Sequence, residues 1–222
     1  MKTDARIRED VLDQLAWESD VDDRQIGVAV ENGVVTLSGV VNSYTSKMAA
    51  EKAAKKVKGV KAVAEDIEVK FGDAFKKTDK EIAKAAVNAL EWNISVPDDK
   101  IMVKVEDGWV YLSGEVKWDY QRNAAKKAVE NLLGVRYVSN NITLKQKVEP
   151  KDIKGKIQRA FERAAELDAK KVSVEVDGHT VTLRGTVRSL AEKEEARKTA
   201  YASPGVYNVI NKIKVEYATA YA

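Results

Sequence analysis

Apolar and polar residues alternate at three places along the chain. Ile26, Val28 and Val30 share one side of an extended segment, as do Ile101, Val103 and Val105, and then Val172, Val174 and Val176. A period of two marks a strand with one buried face. Asn32-Gly33 and Asp107-Gly108 follow the first two runs. Both are strong signals for a two-residue hairpin, because both central residues of a type I′ turn need positive φ. Asp177-Gly178 follows the third run with one extra residue, His179, which predicts a longer hairpin loop. Alternation then resumes in Val35, Leu37, Gly39 and Val41, in Val110, Leu112, Gly114 and Val116, and in Val181, Leu183, Gly185 and Val187.

Helical periodicity flanks each hairpin. Upstream, Ile7, Val11 and Leu15 form an i, i+4, i+8 row, matched by Ile82, Ala86 and Leu90 and by Ile153, Ile157 and Phe161. Thr3 and Thr78 precede the first two rows as N-caps, and Glu149-Pro150 precedes the third. Downstream, second helices are predicted over about 44–58, 119–133 and 190–203. They end at Gly59, Gly134 and Gly205, where a C′ residue favours left-handed φ. A last strand alternates through Ile67/Val69, Ile142/Leu144 and Ile213/Val215. Offsets of 75 and 71 residues relate the three units throughout.

The order within each unit is therefore α-β-β-α-β. A right-handed β-α-β crossover puts two helices on one face of a three-stranded mixed sheet and leaves the other face open. The fold class is α+β, with three tandem αββαβ domains at 1–70, 78–146 and 151–217. The connectors 71–77 and 147–151 are too short for independent tumbling, and a core from ~65–70 residues is modest, so the domains are expected to lean on one another.

The recurring glycines pose a choice between a phosphate cradle and scaffold. A phosphate loop needs its glycines between a strand and a helix N-terminus, whereas these lie inside a hairpin. Gly39, Gly114 and Gly185 take inward-facing strand positions, where a side chain would meet a packed helix at a cost of about 1–3 kcal/mol. With Gly33, Gly59, Gly108, Gly134, Gly178 and Gly205 they form a structural set.

The hairpin motif G-x-V-x-L-x-G and the motif G-V-x-x-V-x-N-x-I after the second helix resemble those of the BON domain, a family named for bacterial osmotically inducible and nodulation proteins. The matching residues are Gly33, Val35, Leu37, Gly39, Gly59 and Val60 and their counterparts in the other two units; the third unit departs by the added hairpin residue. The resemblance covers nearly the whole chain. It implies a non-catalytic module associated with phospholipid surfaces, the bacterial envelope and osmotic protection, found also on channels and secretins. The shared residues are fold residues, so no functional position carries over.

Composition narrows the chemistry. The 222 residues contain no cysteine and one histidine, with a formal net charge of +3. Disulfides, thiolate nucleophiles and cysteine-based metal sites are thereby excluded. Residues 1–70, 78–146 and 152–222 carry net charges of −2, 0 and +3, far from the basic footprint of a nucleic-acid binder, and no G-x-x-G clamp is present. No run reaches the ~20 apolar residues of a membrane span. The charged N-terminus lacks a signal-peptide core. As written the chain is expected in the cytoplasm, or in the periplasm if a leader has been removed. The acidic stretch "ESDVDD" at 18–23 fails as a calcium loop: counted from Asp20, Arg24 and Gln25 stand where a ligand and a glycine belong. His179 reads as a surface-loop residue. No catalytic, metal or cofactor set emerges, and a non-enzymatic protein is expected.

Two surfaces stand out. Inward Val110 and Leu112 put Trp109, Tyr111 and Ser113 on the open sheet face, with Met102 beside them; this apolar patch packs on a neighbouring domain or contacts a membrane or partner. Trp118 and Tyr120 open the second helix of the middle unit, and Trp17 and Trp92 end two first helices, where they are expected to close off the core. The second candidate is a basic face: Lys52, Lys55 and Lys56 on one second helix, Arg122 and Lys126 on the next. These cations complement the helix dipole or attract anionic headgroups. The partner expected is an anionic phospholipid surface or an envelope protein. The rivals are a protein-interaction or chaperone-like scaffold, and a small-ligand or monovalent-ion sensor using inter-domain clefts. The oligomeric state is left open.

Overall fold

The computed structural model describes residues 2–72, 75–145, 152–164 and 171–216. Glu149-Pro150, the whole 147–151 connector and part of the 71–77 connector lie outside the described residues. The first unit in sequence contains α1 (Asp4–Trp17), β1 (Ile26–Glu31), β2 (Val34–Val41), α2 (Tyr44–Lys56) and β3 (Ala62–Val69). The second contains α3 (Asp79–Glu91), β4 (Ile101–Glu106), β5 (Trp109–Val116), α4 (Asp119–Glu130) and β6 (Tyr137–Leu144). The third contains α5 (Ile153–Arg163), β7 (Val172–Asp177), β8 (Thr180–Val187), α6 (Leu190–Tyr201) and β9 (Asn208–Val215). Each hairpin sits on one sheet of three strands, in the orders β1-β2-β3, β4-β5-β6 and β7-β8-β9. The hairpins are antiparallel, and β5/β6 and β8/β9 are parallel. The fold is α+β, three times over. By compactness the described chain forms two bodies: Met1–Val40 with Met48–Glu68 and Val148–Ala222, and Val41–Lys47 with Val69–Lys147.

The helix rows face inward. Ile7, Val11 and Leu15 are buried, as are Ile82, Ala86 and Leu90, and Ile153, Ile157 and Phe161. They close over the strand residues Val35 and Leu37, Val110 and Leu112, or Val181 and Leu183. Each such side chain contributes about 1.5–3 kcal/mol when fully removed from water. Thr3 and Thr78 cap as the sequence suggests: Arg6 N–H donates to Thr3 Oγ1, and Glu81 N–H to Thr78 Oγ1, both at 3.3 Å. Glu81 completes a capping box by accepting from Thr78 N–H at 2.9 Å. The third first helix is capped by Asp152, which accepts from Gly155 N–H at 3.0 Å.

The strand glycines are indeed crowded, but by backbone rather than by a helix. A Cβ on Gly39, Gly114 or Gly185 would collide with the carbonyl oxygen of Gln25, Lys100 or Lys171, the residue leading into the partner strand. Their φ angles of 139°, 138° and 129° add a conformation that L side chains rarely adopt.

The third hairpin is no longer than the others. Asp177 pairs with Thr180, just as Glu31 pairs with Val34, so every loop has two residues. Gly178, at φ 55°, occupies the place of Asn32 at 52° and Asp107 at 50°, while His179 takes the place of Gly33 and Gly108. Glycine first and a negative-φ residue second is the type II′ pattern, which replaces the type I′ turns of the other repeats. The hairpin carries no insertion, contrary to expectation: its Asp-Gly pair sits one place earlier than Asn32-Gly33 and Asp107-Gly108.

Two polar ties were not foreseen. In the first unit the Asp4 carboxylate accepts from the turn N–H groups of Asn32 at 2.7 Å and Gly33 at 2.9 Å. Asp79 does the same for Asp107 at 2.8 Å and Gly108 at 2.9 Å. The motif asparagines have a structural role as well. Asn140 Nδ2 donates to the Arg122 carbonyl and Asn211 Nδ2 to the Lys193 carbonyl, both at 2.8 Å, tying the last strand to the second helix.

Candidate functional site

On the open face of β4-β5-β6 the register sets Met102 opposite Ser113, Lys104 opposite Tyr111 and Glu106 opposite Trp109. Tyr137 of β6 lies beside Trp109 in the parallel ladder. Their rings meet at 4.6 Å between centroids, tilted by 43°. Tyr44, 2% exposed, closes edge-on against Tyr137 at 5.9 Å. Lys104 Nζ stands 5.6 Å from the Tyr111 ring centre and pairs with Glu106 at 2.8 Å. That hydrogen bond and the Glu106 charge raise the lysine's pKa. Met102 (68% exposed) and Trp109 (44%) still reach solvent. The aromatic group is thus partly covered from within its own compact body, with an apolar margin left open.

Trp118 and Tyr120 do not join that group: among the described residues neither ring stacks on another. Trp118 is half-buried as the N-cap of α4, its N–H donating to Gln121 Oε1 at 3.0 Å, and Tyr120 is exposed. The basic residues divide. Lys55 pairs with Glu51, Lys56 with Glu18 and Arg122 with Asp119. Lys52 and Lys126 make no ion pair among the described residues.

The ends of the first helices hold the clearest departure from expectation. Trp17 and Trp92 do not cover the core; they are 84% and 86% exposed. The helix rows end at Leu15 and Leu90, and two residues further on, about 200° around a helix of 3.6 residues per turn, the side chain points away. Trp17 lines an open groove of about 380 Å3 with Lys2, Asp10, Asp13 and Lys58. Glu18, next to it, has its pKa lowered first by the Lys56 hydrogen bond; the charges of Lys56 and Lys52 act in the same direction. Lys2 and Lys58 share the groove with Asp10 and Asp13, Lys2 pairing with Asp10, and Lys52 and Lys56 act on Glu18 beside it. In the second unit Trp92 is joined by exposed Ile94, and Leu133, also exposed, stands at the counterpart of Lys58.

His179 is held in a fixed contact. Its ring stacks on Tyr207 at 3.8 Å and 9°, and Nδ1 lies 2.8 Å from the Gly205 carbonyl. Among the described residues no group of three or more histidine or carboxylate side chains could hold a metal ion.

The BON domain family matches residues 3–70, 78–146 and 151–217. The chain belongs to the BON domain family. It is 30% identical over 148 residues to osmotically-inducible protein Y of Escherichia coli strain K12, covering 64% of this chain and 73% of that one. It also resembles CdsD, a structural protein of the Type III secretion system of Chlamydia trachomatis, at 14% identity. That match has a TM-score of 0.27 and covers 95% of this chain and 92% of the other. The C-terminal domain of CdsD gives 14% identity and a TM-score of 0.24, over 93% of this chain and 95% of that one. Scores this low carry no argument. No helix among the described residues of the BON repeats is long and apolar enough to cross a membrane.

Tyr137 and Tyr44 are the residues that sequence reasoning passed over. Tyr137 was legible as the outward neighbour of inward Val138 in "GVRYV". Nothing in the alternation pattern pairs Tyr44 with it.

Proposed function

We propose that this BON protein is a non-catalytic, stress-associated binding protein that docks on anionic phospholipid surfaces through the Trp17 end of its first repeat. The observation that carries this reading is a tryptophan 84% exposed in a groove that Lys2 and Lys58 also line, with Lys52 and Lys56 acting on the adjoining Glu18. An amphipathic aromatic ring at a wet surface suits the headgroup boundary. Removing most of a tryptophan side chain from water is worth a few kcal/mol at about 25 cal/mol per Å2. One net positive charge adds about 1 kcal/mol near an anionic leaflet. The ring therefore supplies most of the affinity and the lysines a bias.

Vesicle co-sedimentation tests this. Binding should be about fivefold stronger on vesicles containing phosphatidylglycerol or cardiolipin than on neutral ones at low salt, and Trp17→Ala should abolish most of it. Equal binding to both vesicle types overturns the anionic reading.

A second reading rests on the exposed margin of Met102 and Trp109 beside Tyr111. There a protein partner, such as an envelope protein, would cover the β4-β5 face. Pull-down with Trp109→Ala and Tyr111→Ala, together with solution mass, examines it; a strict monomer with unchanged partners counts against it.

A further inference from the structure

The geometry points to a small-molecule site in the third BON repeat: the groove between α5 and α6 binds a carboxylate carried on an apolar body. The groove holds about 530 Å3, inside the ~300–1,000 Å3 range of small-molecule sites. Its wall is apolar where Ile157, Ala160 and Pro204 line it. Lys156, Arg163 and Lys198 bring three cations to it against one acid, Glu195. Lys156 and Arg163 make no ion pair among the described residues, so an anion entering here would meet charges not already spent on a partner.

Ser203 supplies the second, independent observation. It lines the same groove, is 8% exposed, and its Oγ has no hydrogen-bond partner among the described residues. A buried hydroxyl without a partner is unfavourable, and native structures rarely leave one without a reason. The counterparts of Ser203 are Val57 and Leu132, so the fold itself asks for an apolar side chain at this place. Only the third repeat puts a donor there, and only there is the first-helix tryptophan replaced by a cation, Arg163. The two changes fall on one groove. An ionised carboxylate would accept from a guanidinium or ammonium and, once the buried Ser203 side chain turns outward, from its Oγ, while its apolar body covers the Ile157 side. A bare phosphate dianion would leave that wall wet, and a neutral amphiphile would leave the cations unsatisfied. This site shares no residue with the Trp17 surface and stands or falls apart from it.

Octanoate is the probe, with octan-1-ol and inorganic phosphate as comparators, added to the full chain below about 5 mM. Amide NMR should show shifts centred on Ala160, Thr199 and Ser203. Calorimetry should show octanoate binding at least about fivefold tighter than either comparator. Ser203→Ala should raise Tm slightly, because it removes an unpartnered hydroxyl, and weaken octanoate at least about threefold; Arg163→Gln should weaken it similarly. Trp17→Ala should leave octanoate binding unchanged. The site is refuted by octanol or phosphate binding as well as octanoate, by shifts elsewhere in the chain, or by no binding at all. A fall in Tm on Ser203→Ala would equally refute it, since it would mean that the hydroxyl already has a partner.

Discussion

Replacing Gly185 with alanine adds one methyl group in the most crowded place of the third hairpin. The new Cβ would overlap the Lys171 carbonyl oxygen and lie 3.0 Å from its carbon and 3.1 Å from Val172 Cα. Backbone cannot swing aside as a flexible side chain does, so overpacking costs about 1–3 kcal/mol. Holding a non-glycine residue at φ 129° costs about 1–3 kcal/mol more. The reduced entropy of the unfolded chain returns only about 0.4–1 kcal/mol. The net loss of about 1–5 kcal/mol rivals the ~3–5 kcal/mol that a core of this size supplies. Gly178→Asn is the control in the same hairpin. Nothing lies within 4 Å of its Cβ, so this change meets no crowding and costs only about 1–3 kcal/mol, for holding a side chain at φ 55°. Urea unfolding followed by far-UV circular dichroism reports on all repeats. Tryptophan fluorescence reports only on the first two, because all four tryptophans lie there. Gly185→Ala should move an early dichroism phase that fluorescence does not see. Equal costs for the two substitutions would refute the backbone-crowding account.

Asp79→Ala should destabilise the second repeat by about 2–4 kcal/mol, because two turn N–H groups lose a charged acceptor; the urea midpoint measures it. Glu81 has its pKa lowered to about 2, first by the Thr78 backbone N–H, then by the Thr78 hydroxyl and by Lys77. A folded value below the ordinary 4.5 means that its contribution is complete above about pH 4.5 and fades as pH falls towards 2. Carboxyl NMR titration should find that low midpoint, and Glu81→Gln should flatten the acid limb of the stability profile. Tyr137→Ala should cost about 1–3 kcal/mol through two lost ring contacts and shift Trp109 emission to the red, read by equilibrium unfolding and fluorescence.

Particular residues show where reading the chain succeeds. Ile26-Val28-Val30 and Ile7-Val11-Leu15 expose their periods directly, since side-chain direction follows from backbone geometry alone. Trp109, Tyr111 and Met102 came out on the same face for that reason. Trp17 departs from expectation for the opposite reason: the helix row faces inward, but a ring two places beyond it turns to solvent. The third turn is ambiguous in sequence because two turn types accept glycine at different positions, and only strand pairing tells them apart. Glycine crowding was foreseen at Gly39, Gly114 and Gly185, but its cause was not, because a carbonyl of the adjacent strand has no signature in local sequence.

From its sequence alone this protein determined the element order, the inward faces and the threefold repetition, all set by spacing along one chain. Tertiary structure alone decided which cations were already paired, that Tyr44 would close over Tyr137, that Trp17 and Trp92 would stand in solvent, and that Ser203 would be buried with no partner among the described residues. Those outcomes depend on distances between groups far apart in sequence, and the periodicity of a segment carries no information about what packs against it.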